Sequence, residues 1–168
     1  MIKLLTILSL LLQNDDSLVK MAKLAQKKYN PVNKRYVVII NYSLSIDSER
    51  LYLLDMNTSK VVLKTKVSHA KNSGYDVPYM FSNQMNTQKT SLGVYKTTQT
   101  YYGKFGYSLK LIGLDSTNSN AEKRAIVFHS NKKMKTKWSW GCFATSEDMN
   151  KEIINKIKNG CLVIVCKI

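Results

Sequence analysis

The sequence predicts a mainly β domain of the α+β class, with one helix near the N-terminus and one late in the chain. Two observations carry that expectation. Short runs rich in Val, Ile, Leu and Tyr recur between Gly-, Asn- and Ser-containing segments, the pattern of strands separated by turns. Only two stretches repeat apolar residues at helical spacing. The chain has no internal repeat or clear domain boundary, and its 168 residues suffice for one domain with a real core.

Asn14 to Tyr29 reads as the first helix. Asp15, Asp16 and Ser17 offer caps and favourable charge at its start, Leu18, Met21, Ala22 and Ala25 form its stripe, and Pro31 closes it. Tyr36 to Ile40 is apolar without alternation, as in a strand buried on both faces. Arg50 to Asp55 and Val61 to Val67 flank a turn at Met56 to Lys60 and extend a β-meander. Ser68 to Ser91 is polar, an ordered loop long enough to suggest a functional role. Leu92 to Tyr101 and Tyr107 to Leu111 are strands punctuated by Gly103 and Gly106, and Ala125 to Phe128 is a buried strand leading into His129. Thr145-x-x-Asp148 resembles a capping box for a helix from about Glu147 to Lys158, with Met149, Ile153, Ile154 and Ile157 as its buried stripe and Gly160 ending it. Cys161 to Ile168 is a core strand.

Residues 1–13 place a Lys before the apolar run Leu4 to Leu12, too short to span a bilayer and suited either to a signal-peptide core or to a plain apolar N-terminal helix. No transmembrane span is expected. The formal net charge of +15 favours anionic partners. Only three of the 26 basic residues are Arg (Arg35, Arg50 and Arg124), which argues against nucleic-acid recognition, where bidentate Arg dominates. Three cysteines without regular spacing are neither a disulfide framework nor a zinc site, and no metal or cofactor is expected. Cys161 and Cys166 face opposite sides of a strand and read as inert thiols.

Cys142 differs, because it follows Gly141 in a polar, basic setting, with twelve residues between it and the nearest His, His129. A thiol nucleophile needs a base, a group that orients the base, and donors for the oxyanion. His129 could be the base and Ser139 could orient it by hydroxyl or carbonyl, while the amides of Gly141 and Cys142 could face an oxyanion. Lys132, Lys133, Lys135 and Lys137, with the N-terminus of the following helix, would depress the thiol pKa. Taken singly, a His ending an apolar strand and a lone Cys are more often structural.

Arg124 to His129, Ser139-Trp140-Gly141-Cys142 and Asn150 to Ile154 together resemble the murein L,D-transpeptidase catalytic-domain family. Upstream segments agree: Val67 to Gly74, Phe81-Ser82-Asn83, Ser91 to Tyr95 and Gly103 to Leu109. The resemblance runs over residues 14–168 and implies a sandwich-like β catalytic domain in the periplasm or secreted to the bacterial cell envelope. It implies Cys142 as nucleophile, His129 as base, Ser139 as orienting residue and Gly141 in the oxyanion site, with Trp140, Tyr107, Ser108 and His69 as substrate-binding candidates. The implied partners are peptidoglycan stem peptides, with anionic envelope polymers as a further possibility, met by a monomer. The implied reaction releases D-Ala from an acyl-enzyme, then forms a crosslink or hydrolyses. Ser130 stands where the family usually has Gly, Phe143 where Pro is common, and the linker from His129 to Ser139 is short. That linker motivates the alternative of a catalytically silent wall-binding module with the same fold.

Overall fold

The computed structural model describes residues 2–168, with side chains described from Asp15 onward. The signal-peptide reading of residues 1–13 therefore lies outside the residues described with side chains. Helix α1 (Ile2–Tyr29) precedes strands β1 (Tyr36–Asn41), β2 (Leu51–Asp55), β3 (Lys60–Thr65), β4 (Gly93–Gly103), β5 (Gly106–Gly113), β6 (Val127–Ser130) and β7 (Phe143–Thr145). Helix α2 (Glu147–Ile157) and strand β8 (Leu162–Cys166) complete the chain. The strands form one mixed sheet in the order β3-β2-β1-β8-β4-β5-β6-β7, parallel only at β1–β8 and β6–β7.

Strand alternation explains why β1 and β8 are apolar throughout. Val38, Ile40, Val163 and Val165 face a core shared with α2 and with Phe128 and Phe143 at the far end of the sheet. Val37, Ile39, Leu162 and Ile164 face Leu18, Ala22 and Ala25 of α1. Both faces of the central strands are covered, so neither can afford a polar stripe. Cys161 falls in the first core and Cys166 packs against the second, as their spacing predicts.

The sheet curls so that its two ends meet. After β3 the chain runs along β7: the Ser68 amide donates to Ala144 O at 2.9 Å and the Ser139 amide to His69 O at 2.9 Å. Ala70 forms a bridge with Ser139. This closure presses the residues after β3 against the turn that carries Cys142.

Three local expectations change. Helix α1 runs through Asp15, Asp16 and Ser17, so these residues lie within the helix instead of capping it. The capping box does not form: Thr145 belongs to β7, and Ser146 is the N-cap of α2 without a side-chain cap bond. The sequence pattern also passes over β7 itself, whose three residues become a strand through pairing with β6. Among the described residues no helix is long and apolar enough to cross a membrane.

Candidate active site

The register of β6 on β7 builds the site. Phe128 pairs with Phe143 and His129 with Ala144. The Phe128 and Phe143 rings, 5.3 Å apart, point into the core. Side chains alternate along strands about 4.8 Å apart, so His129 and Cys142, one residue out of phase with those rings, emerge on the other face. Both line one cleft of about 630 Å³.

The His129 ring is 3% exposed and lies against Phe105, with centroids 4.4 Å apart and planes at 22°. Its Nδ1 is 2.8 Å from Ser130 O. A carbonyl only accepts, so Nδ1 carries the proton and Nε2 is left with a lone pair. Burial lowers the imidazole pKa, which keeps the ring neutral at pH 7. The group that orients the imidazole is thus the neighbouring carbonyl of Ser130.

Ser139, expected to hold the imidazole, instead holds its own turn. Its hydroxyl accepts from the Gly141 amide at 3.1 Å and donates to Cys142 O at 2.7 Å. The Ser68 hydroxyl also donates to Cys142 O, at 3.2 Å, while accepting from the Ala144 amide at 2.9 Å. Two hydroxyls therefore fix the Cys142 carbonyl. The Gly141 amide is bonded within the turn, which leaves the Cys142 amide as the candidate oxyanion donor.

Gly141 has φ +124°, and a Cβ there would lie 2.8 Å from Ile126 Cδ1. The conformation disfavours any side chain, and a Cβ would also have to push the Ile126 methyl aside. Gly141→Ala is expected to destabilise the fold by about 1–3 kcal/mol and to cut Cys142 reactivity sharply. Thermal melts and thiol-labelling rates check it, and an unchanged labelling rate would show that the turn is not constrained.

The Cys142 thiol is half-buried and donates to Ala125 O at 3.5 Å. Burial pushes its pKa up, opposed by the Val127 amide and the Arg124 guanidinium. The expectation of a depressed pKa is thus reversed, because desolvation outweighs the positive groups nearby. Lys132 pairs with Glu147 at 2.5 Å and Lys137 with Asp47 at 2.8 Å, both exposed, while Lys133 and Lys135 line the cleft with Lys104. Arg124 lies behind the turn, its Nη1 donating to Ser82 O at 2.8 Å and to Ser91 Oγ, and its Nη2 to Lys89 O. It ties the polar loop before β4 to the segment under Cys142.

The four substrate-binding candidates separate. Trp140 is 74% exposed and lines the cleft beside Cys142. Trp138 also lines it, pinned by its Nε1–H to Tyr75 O at 2.7 Å. Tyr107 lines an adjoining hollow, its hydroxyl 3.3 Å from Asn155 Oδ1. Ser108 is buried, with its hydroxyl donating to Gly106 O at 3.0 Å, so it stabilises the β4–β5 hairpin.

His69 is fully buried, and both ring nitrogens are engaged. Nδ1 accepts from Arg50 Nη2 at 2.7 Å and Nε2 donates to Gly74 O at 2.7 Å. It is a structural residue. Phe105, Ser130, Ser68 and Arg124 are the site residues that the sequence reading leaves out. Arg124 and Phe105 lie within the motifs quoted above, and only the fold gives them a place at the site. No group of three His, Cys, Asp or Glu side chains suited to a metal occurs among the described residues.

A curled, mixed sheet with a His on β6 and a Cys in the turn that enters β7, both at one cleft, defines a thiol-bearing β domain. The chain belongs to the L,D-transpeptidase catalytic domain family, whose model matches residues 13–166. No curated protein matches it in sequence. Among solved structures, a variant of the helical cell shape determining protein Pgp2 from Campylobacter jejuni is similar, with a TM-score of 0.56 and 10% identity over 79% of this chain and 47% of that one. The L,D-transpeptidase LdtMt1, solved in complex with imipenem, has a TM-score of 0.50 and 10% identity over 78% of this chain and 58% of that one. An L,D-transpeptidase from Stackebrandtia nassauensis has a TM-score of 0.49 and 15% identity, over 80% of this chain and 56% of that one. At these identities the likeness to the first two is one of fold, and the chain spans about half of the length of these solved relatives.

Proposed function

We propose that the domain is a cysteine L,D-transpeptidase acting on peptidoglycan stem peptides. The observation that carries this reading is that His129, with Nδ1 committed to Ser130 O, lines the same cleft as Cys142. The resting pair is then a neutral thiol beside a neutral imidazole. The S–H turns from Ala125 O to Nε2, His129 takes the proton, and the sulfur attacks the carbonyl that joins an L-centre to D-Ala. The oxyanion meets the Cys142 amide. As the C–N bond breaks, the imidazolium returns its proton to the leaving D-Ala amine, which leaves a thioester on Cys142. An amine from a second stem then attacks the thioester, its proton passing through His129 to the sulfur as the new amide forms. Water in the amine's place gives L,D-carboxypeptidase trimming.

The cleft charge fits such a donor. Lys104, Lys133 and Lys135 surround it without an acidic residue, suited to the carboxylates of a stem peptide. The net charge of +15 suits a protein held against anionic envelope polymers, in the periplasm or secreted. Release of D-Ala from a stem tetrapeptide, followed by mass spectrometry, tests the reading: wild type is expected to release it and Cys142→Ala to release none. The thiol's bond to Ala125 O, which engages the S–H at rest, favours the second reading of a silent wall-binding module. Under that reading wild type binds sacculi and releases no D-Ala.

A further inference from the structure

Beside the catalytic cleft lies a second hollow of about 370 Å³, between the β4–β5 tip and α2. Phe105, stacked on His129, lines both spaces, and Ser130 belongs to the wall of the second. Asn150, 2% exposed, also lines it. Its Nδ2 donates to Tyr107 O at 2.7 Å, but its Oδ1 is buried without a hydrogen-bond partner. Such an acceptor costs stability, and a donor from outside the chain satisfies it only where the wall of the hollow opens to admit one.

The rest of the wall specifies what kind of donor. Tyr102, 84% exposed at the hairpin tip, tilts against Tyr107 with centroids 5.3 Å apart and planes at 35°. A ring that far out of the core offers a flat apolar face to a ligand. Its lining holds one acid, Glu147, which pairs with Lys132, and one base, Lys151, whereas the neighbouring cleft is lined by three lysines and no acid. In a chain of net charge +15, a hollow with one net charge at most, an aromatic shelf and amide groups is the less suited of the two to anions. The matching ligand is uncharged, has an apolar face and carries several O–H and N–H donors, which describes a sugar ring.

We propose that this hollow binds uncharged N-acetylated sugar residues of a glycan strand, with the ring on Tyr102 and a donor directed to Asn150. The inference deepens the transpeptidase reading and rests on it for the N-acetyl group: one strand would present its stem to Cys142 and its sugar to the hollow.

The probe is the N-acetylglucosamine tetramer, titrated into the full chain by calorimetry and by amide shift mapping. Wild type and Cys142→Ala are expected to bind it alike, with shifts centred on Tyr102, Tyr107 and Asn150. Tyr102→Ala, at an exposed position that does not test folding, is expected to lose about tenfold in affinity. No binding by wild type, shifts confined to the Trp140 cleft, or unchanged affinity in Tyr102→Ala each overturns the proposal. So does a sugar-free stem peptide whose binding depends on Tyr102. Acylation of Cys142 by a small β-lactam requires no sugar, so failure of sugar binding and failure of the transpeptidase reading are read separately.

Discussion

Replacing His129 with Gln is expected to slow acylation of Cys142 at neutral pH by about 10²–10⁴-fold, the range supplied by a positioned general base. Burial holds the Cys142 thiol above its ordinary pKa, so at pH 7 the sulfur has little thiolate of its own. His129, with a pKa below its ordinary value, is mainly in its basic form there. Wild-type reactivity should therefore rise through the depressed His129 pKa and be well developed at pH 7. The variant should lack that step and recover only in alkaline solution as the thiol ionises unaided. Rates of β-lactam acylation against pH for both proteins check this. Coincident profiles would mean that His129 is not the base.

The largest stability effect is expected at Arg50, remote from the chemistry. Its side chain is fully buried. Nε and Nη2 donate to Val67 O at 3.1 and 2.7 Å, Nη1 to Leu44 O at 3.0 Å, and Nη2 also to His69 Nδ1. The guanidinium lies 4.7 Å from the centre of the Tyr42 ring. Arg50→Met orphans Val67 O, Leu44 O and His69 at once and is expected to cost about 3–5 kcal/mol, measured by urea unfolding. A loss below about 1 kcal/mol would show that the network is dispensable. The same network predicts acid sensitivity. Burial brings the His69 pKa from 6.5 to about 4. Between those values the unfolded chain binds a proton that the folded chain refuses, so stability falls as pH drops from about 6.5 to 4. The full loss is about 3 kcal/mol, and Arg50, facing Nδ1, is the group that resists the added charge.

The central strands are legible because burial on both faces leaves a continuous apolar run, and such runs mark β1 and β8 directly. β7 is not, since Phe143-Ala144-Thr145 is too short to carry a period and becomes a strand through β6 on one side and Ser68 on the other. His69 misleads for a related reason. It stands in a polar segment and looks accessible, but its environment is set by Arg50, nineteen residues away, and by the closure of the sheet. Ser139 is two residues from Gly141 and three from Cys142, and its hydroxyl bonds where the turn places it, while the Ser130 carbonyl takes the Nδ1–H of the ring. The lysine loop suggested a lowered thiol pKa, but composition records charge and not desolvation. Local pattern thus reaches the elements and the Cys–His pair, and stops at contacts that depend on how the sheet closes.

The central claim is that Cys142 is a nucleophile served by His129. Intact-protein mass spectrometry after incubation with a carbapenem tests it most directly. Wild type is expected to gain the mass of one carbapenem, located on Cys142 by peptide mapping, and Cys142→Ala to gain none. A folded wild-type protein that shows no mass shift, or an adduct that persists in Cys142→Ala, would contradict the account.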